Sequence, residues 1–285
     1  EESDDKDARE YRKKRKKPDI EYDDTPETIR MRGVLNKYNE LLNKSRLDVF
    51  SLEVPYFDRK IENWKRAGGN ARVYIDDRNT FVRRIFNNAS WESGGRFYGG
   101  WWQQISEDLR ANIMINDNPV VEIDYNAMHI ALLKAEVAEK SERDLVSVKD
   151  NEPPQGSDFF QKFSVSRLIG ADEISNADDD PYTLNKTIFP TKNEFDQRKA
   201  VKLLVLMAIN AKSRALAFSA FRSDKAKGDP LRKMTNDELS QLLDAFIEKH
   251  PKLEPFLCTG KGVELMYVDS RIAESVIERL TNKSI

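Results

Sequence analysis

Apolar and polar positions recur with two different periods along the chain, and the period separates helix-like from strand-like stretches. Ile29, Val34, Leu35, Tyr38, Leu41 and Leu42 recur at helical spacing behind Thr25-Pro26-Glu27. There Thr25 is a good N-cap and Pro26 suits a first turn, so a helix is predicted to begin at that point. Ala67-Gly68-Gly69-Asn70 breaks the next stretch. In residues 120–125, VVEIDY, the side chains of Val121, Ile123 and Tyr125 alternate with Glu122 and Asp124. That period predicts a strand with both carboxylates on one face and aliphatic side chains packed beneath. Asn116-Asp117-Asn118-Pro119 reads as the turn of a hairpin pairing residues 112–115 with 120–125. Helical spacing returns over residues 127–140, 194–221, 236–250 and 262–280, with a break at Gly228-Asp229-Pro230. The expected class is therefore α+β, an antiparallel sheet with a helical N-terminal segment and a helical C-terminal part, and no internal repeat is visible.

Composition narrows the setting. The chain has 285 residues, 39% of them hydrophobic, enough for one large domain or two small ones with a sizeable core. Charged residues make up 34% but the net charge is only -2, so no overall basic field advertises nucleic acid and any such contact must come from local patches. The single Cys258 has no disulfide or zinc-cluster companion, which fits a reducing, cytoplasmic compartment. No apolar run approaches the ~20 residues of a membrane helix, and the charged N-terminus is unlike a signal peptide, so no membrane partner is expected. Residues 1–24 carry almost no aliphatic side chains and read as a disordered charged lead-in, whose RKKRKK run is either a solvated tail or a phosphate or localisation contact. Residues 141–193, with Pro153-Pro154 and the Asp178-Asp179-Asp180 run, read as a polar insertion or mobile loop.

Candidate chemistry starts from the carboxylates of residues 120–125. Arg198 and Lys202 lie four apart on the strongly periodic RKAVKLLVLMAINAKSRALAF stretch, which puts two cations on one face of one helix. An acidic strand end together with a paired-cation helix suits phosphoryl transfer involving a nucleotide, where fixed cations and metal stabilise spreading negative charge. The plainer alternatives are a strand-end Asp124 that caps the following helix and a solvated face for the two cations. Two histidines make a Ser-His-Asp or Cys-His set untenable, and a Gly-rich phosphate loop of the Lys-Ser type is missing. Trp101-Trp102 beside Gly99-Gly100 is either a base-stacking platform or core.

Gly95-Arg96, Gln103-Gln104-Ile105-Ser106, Arg110, and Asp124-Tyr125-Asn126 occur in that order, followed by Arg198 and Lys202 and then by GKGVELMYVDSRIAESVIERL. In this succession residues 81–285 resemble the palm and fingers of family A, polymerase I-like, DNA polymerases, in a divergent mobile-element or phage-type branch. The resemblance implies an antiparallel palm sheet carrying the family's motif A over residues 71–140. Residues 194–285 then become helical fingers and a helix leading toward motif C, with residues 25–70 a helical N-terminal segment. It implies template-directed nucleotidyl transfer to a primer 3' end with two Mg²⁺ ions. Asp124 would bridge both ions, helped by the Tyr125 carbonyl, and the second carboxylate is expected beyond residue 285.

Arg198 and Lys202 would bind the triphosphate, with Lys202 nearest the charge that leaves as pyrophosphate. Leu206 and Asn210 stand where the family has aromatics at the nucleotide, a departure that bears on nucleotide selection more than on chemistry. His129 stands where the family has a Glu that excludes ribonucleotides. Arg96, Gln104 and Arg110 would grip primer-template DNA. The partners implied are primer-template, deoxynucleoside triphosphates, and a replication helicase or primase. Val73-Tyr74-Ile75-Asp76-Asp77 is similar to the Tyr-x-Asp-Asp turn of reverse transcriptases, but it precedes Asp124 instead of following it and is read as coincidence. The alternatives are a non-catalytic nucleic-acid-binding replication subunit with a decayed palm, or a structural helical protein.

Overall fold

A computed structural model describes residues 20–61, 69–76, 79–147, 180–189, 196–225 and 228–284. Most of the charged lead-in, residues 67–68 of the Gly-containing break, Asp77, residues 148–179 and 190–193 of the expected insertion and residues 194–195 at the start of the expected helix lie outside the described residues. The order of elements is α1 (Pro26–Lys44), β1 (Leu47–Val49), β2 (Tyr56–Ile61), β3 (Gly69–Tyr74), β4 (Val82–Asn87), β5 (Ser90–Gly99), α2 (Glu107–Arg110), β6 (Ile113–Ile115), β7 (Asn118–Pro119), α3 (Met128–Ser147), α4 (Gln197–Asn210), α5 (Arg214–Asp224), α6 (Asn236–Lys249) and α7 (Gly262–Asn282). The strands pair antiparallel as β1-β6-β7, β2-β3 and β4-β5. The fold is thus mixed helix and antiparallel sheet.

Helix starts follow the polar side chains that precede them. The Thr25 hydroxyl accepts from the Thr28 amide at 3.2 Å while the Thr25 amide donates to the Thr28 hydroxyl at 2.8 Å, a capping box on α1. Thr235 and Glu238 do the same for α6. Asp196 caps α4 and Ser213 caps α5. Two apolar cores result. Leu204, Ile209, Phe221, Leu239, Leu242 and Phe246 anchor the helical one, and Val49, Phe57, Ile105 and Ile113 close around Trp101 in the one under the small sheets. Trp101 is therefore core, and Trp102 packs edge-on against it with centroids 5.9 Å apart.

Three expectations need correction. The turn at Asn116-Asp117 is as read, with both residues at positive φ, but the strand behind it is only Asn118–Pro119. Residues 121–125 form no strand, and Val121 and Ile123 are 83% and 87% exposed where a packed underside was expected. Alternation licenses a strand only where a neighbour supplies the ladder, and β6 is three residues long. The helical N-terminal segment ends at Lys44, after which β1 and β2 follow. The long helix expected over 194–221 is two helices, because Ala211 turns extended and Ser213 starts a new capped helix.

α7 lies along β5 and against α1, and buried charges fix it there. Glu274 is almost fully buried, with Arg84 of β4 at 3.0 Å, Arg30 of α1 at 2.8 Å and Arg271 at 3.1 Å. Glu27 pairs with Arg30 at 2.8 Å and also with Arg271, joining α1 to α7 a second time. The Asn39 side chain bonds both the amide and the carbonyl of Val82 at 2.9 Å, so α1 also takes the place of a strand at that point of β4. The Arg30 hydrogen bond, aided by Arg271, outweighs partial burial and holds the Glu27 carboxyl down at about 2, from an ordinary value of 4.5. A depressed carboxyl contributes its stability in full above 4.5 and loses it as pH falls toward 2. Acid titration of the melting temperature should therefore show a loss between pH 4.5 and 2 that Glu27→Gln reduces. An identical acid limb in the variant would show that the pair does not hold α1.

Candidate functional site

The geometry of Arg96 begins at two glycines. β4 and β5 slip register between Ile85 and Phe86, and opposite that slip Gly94 and Gly95 take φ of 79° and 77°, left-handed values that a side chain resists. A Cβ on Gly95 would sit 2.8 Å from the Phe86 ring and 2.9 Å from the Ser270 hydroxyl, so the glycine is what lets α7 approach β5 this closely. Arg84 reinforces the approach by donating to the Gly95 carbonyl at 2.8 Å and to Ser270 at 3.3 Å. Burial pushes the Arg84 guanidinium below its ordinary range while Glu274 opposes that loss. One residue on, Arg96 donates to Asp269 Oδ2 through Nε at 2.8 Å and Nη2 at 2.6 Å.

His129, in the first turn of α3, feels the charges of this pair. Burial lowers its pKa from 6.5, Arg96 lowers it further, and Asp269 acts in the opposite direction, so both charges lie within electrostatic reach of the ring. Its Nε2 is buried without a hydrogen-bond partner among the described residues. A neutral imidazole with an orphaned buried nitrogen is an unmet hydrogen-bonding capacity.

The other candidates stand apart from it. Asp124 is exposed, and its Oδ1 accepts from the adjacent Tyr125 amide at 2.8 Å. Glu122 pairs with Arg110 at 2.6 Å, tying the segment after β7 to α2, and Gln104 accepts a long 3.5 Å contact from Arg59. Arg198, Lys202, Leu206 and Asn210 do share one face of α4 at four-residue steps. Arg198 pairs with Asp180, whose carboxylate also accepts from the Tyr182 amide at 2.8 Å. Burial raises the Asp180 pKa, but the Tyr182 amide and Arg198 outweigh it and leave the group lowered. Lys202 is exposed and forms no ion pair among the described residues. Asn210 donates to the Leu206 carbonyl at 2.7 Å and abuts Gly262, where a Cβ would fall 2.0 Å from its Oδ1.

Arg96 pairs with Asp269, and His129, from another part of the sequence, lies within electrostatic reach of both. No hydrogen bond or ion pair joins Asp124 to Arg198 or Lys202 among the described residues. Asp180 and Asp269 escape a sequence reading because each pairs with a distant arginine; the first lies at the end of an acidic run and the second inside a helical pattern. A surface cavity of about 520 Å³ between α3 and residues 249–253, bordered by Lys134 and Lys252, contains none of the predicted site residues. Comparison with family models, with curated proteins and with solved structures gives no match to this chain.

Gly95→Ala should cost about 1–3 kcal/mol through its strained φ and the crowding of Ser270. Gly33→Ala, in the middle of α1 with open space at its Cβ, should gain about 0.5–1 kcal/mol. Denaturant unfolding of both variants checks the contrast, and a neutral Gly95→Ala would mean that α7 does not depend on close approach to β5.

Proposed function

We propose that the chain is the palm and fingers region of a family A-like, template-directed DNA polymerase that adds deoxynucleotides to a primer 3' end. The observation that carries this proposal is that Arg96, expected at primer-template, and His129, expected at the nucleotide sugar, lie within electrostatic reach of one another although 33 residues separate their sequence numbers (129 − 96). Primer terminus and incoming nucleotide must also adjoin in such a reaction. Additional support comes from α4, whose outer face carries Lys202 as an exposed cation one turn from Arg198.

In the proposed reaction the primer hydroxyl attacks the α-phosphorus and pyrophosphate leaves, so the protein chiefly positions reactants and neutralises charge. Lys202 would meet the triphosphate directly. Arg198 would exchange the Asp180 carboxylate for a phosphate oxygen. His129 would face the sugar, and Arg96 the primer end. A helicase or primase would be the functional neighbour.

Magnesium is a different matter. Asp124 and the Tyr125 carbonyl would contribute to one ion, but no group of three or more His, Cys, Asp and Glu side chains among the described residues could hold a metal. One carboxylate and one carbonyl do not make a two-ion site, so no step through Mg²⁺ is derived from these residues.

In the full-length protein, Asp124→Asn should lower nucleotide incorporation by about 10²-fold or more with an unchanged melting temperature, because the carboxylate proposed for the reacting centre is lost at an exposed position. Wild-type extension by the variant would reject the assignment, and a protein that binds primer-template without extending it would be the non-catalytic subunit instead. Lys202→Ala should reduce turnover and nucleotide affinity together by about 10²-fold, whereas Lys212→Ala, beyond the end of α4, should do far less. Equal small effects in a nucleotide titration would leave α4 with only a solvated cationic face.

A further inference from the structure

The cavity of about 520 Å³ beside α3 joins an apolar floor to ionisable groups that are all basic. Val137 and Ala138 come from α3, and Pro251 and Leu253 from the 3₁₀ segment Pro251–Phe256 that packs against it. The ionisable residues around the floor are Lys134, Lys249, His250 and Lys252, in a chain whose acidic residues outnumber Lys and Arg by 49 to 47. Two acids near in sequence are engaged by other lysines, Glu136 by Lys261 at 3.0 Å and Glu248 by Lys186 at 3.2 Å.

The floor is held in place before any ligand arrives. Lys249 donates to the carbonyls of Asp180 and Thr183 at 3.0 and 2.9 Å, and His250 Nε2 lies 3.0 Å from the Pro181 carbonyl. Leu253 is buried in the helical core, and its amide donates to the His250 carbonyl at 3.0 Å. Lys134 and Lys252, one on each wall, differ from these: both are exposed, and neither forms an ion pair among the described residues. A rigid apolar floor between two unengaged cations costs little ordering to use.

Charge and shape select the occupant. A bilayer takes up protruding apolar side chains, and this floor is recessed. Single-stranded nucleic acid stacks its bases on aromatic rings, and among the described residues none lines the cavity. A small ligand is enclosed over most of its surface, whereas this cavity is a trough open to solvent. We infer that the trough docks an acidic peptide segment of a partner protein, with one large apolar side chain resting on Val137, Ala138, Pro251 and Leu253 and flanking carboxylates meeting Lys134 and Lys252. The apolar anchor supplies most of the affinity, and the two lysines set direction and speed of association. The docking site is independent of the polymerase proposal.

The test is fluorescence anisotropy of the full-length protein with labelled peptides in which one Leu, Phe or Trp is flanked on each side by an Asp-Glu pair. One or more of these should bind, and counterparts with Lys-Lys flanks or with Ser at the centre should bind about tenfold more weakly or worse. Lys134→Glu combined with Lys252→Glu should lose about tenfold in affinity and most of the dependence on salt. Lys37→Glu combined with Lys44→Glu, the same change in net charge at exposed positions of α1, should bind as the wild type does. Ala138→Glu, at an exposed position of α3, reads the floor separately and should also weaken binding about tenfold. Should thermal melting show the Lys134 and Lys252 reversal to be unfolded, Lys134→Gln with Lys252→Gln replaces it, with a smaller loss of the same kind. No binding by any acidic peptide, equal binding of the Lys-flanked peptides, equal losses in the two lysine pairs, or wild-type affinity in Ala138→Glu would each overturn the inference. Binding of dodecanoate in place of every peptide would overturn it in favour of a free amphiphile.

Discussion

Glu274 is the constraint on which the arrangement depends. It is buried to within 2% of complete, and Arg84, Arg30 and Arg271 reach it from β4, α1 and α7. A buried ion pair of this kind adds little net stability compared with an apolar replacement, since desolvation cancels most of the attraction. Leaving one partner behind is another matter and typically costs ~3–5 kcal/mol, because an uncompensated charge then stays in the interior. The network therefore acts by excluding alternatives. A shift of α7 along β5 by one turn would separate Glu274 from Arg84, and Ser270, one turn before Glu274, would leave the hollow over Gly95. With Ser270 in place, its neighbour Asp269 necessarily lies beside Arg96.

The helices were legible because their signals are local. Thr25 with Pro26 predicts where α1 begins, and the apolar spacing over residues 236–250 predicts α6 to within a residue or two of what forms. The break between α4 and α5 was hidden by an apolar period that continues across Ser213, whose capping role competes with a longer helix. The strands were less legible. β4 and β5 are rich in arginine and glycine, and Arg84 and Arg96 are held against α7 by partners that lie more than 170 residues away. Residues 120–125 erred in the other direction: their period was right for a strand, but a strand is a property of two segments, and β6 begins too late, after α2, to pair them.

The same distinction separates what could be read of the candidate site from what could not. Arg198 and Lys202 fall on one face of α4 because four residues make a turn, a fact contained in their spacing. Their difference in circumstance was not contained there. Arg198 is engaged by Asp180 and Lys202 is exposed, although the two sit on the same face and carry the same charge. His129 was singled out by resemblance alone, while its interest in the structure comes from burial and from an unused nitrogen.

The near-neutral net charge acquires a local meaning from these pairs. Three arginines expected to meet nucleotide or nucleic acid each have a carboxylate already: Arg96 has Asp269, Arg110 has Glu122, and Arg198 has Asp180. Pairing spares the folded chain the self-repulsion of a bare basic groove and removes the general attraction for any polyanion. An incoming anion must then displace a carboxylate of comparable charge, so the gain from binding is a difference between two ion pairs. Such an exchange discriminates by geometry, since only a ligand that improves on the carboxylate's hydrogen bonds gains anything. On the polymerase proposal, Lys202 is the cation that need not exchange, and it is the residue at which long-range attraction for triphosphate would begin, with Arg198 following once the phosphate is close enough to compete with Asp180.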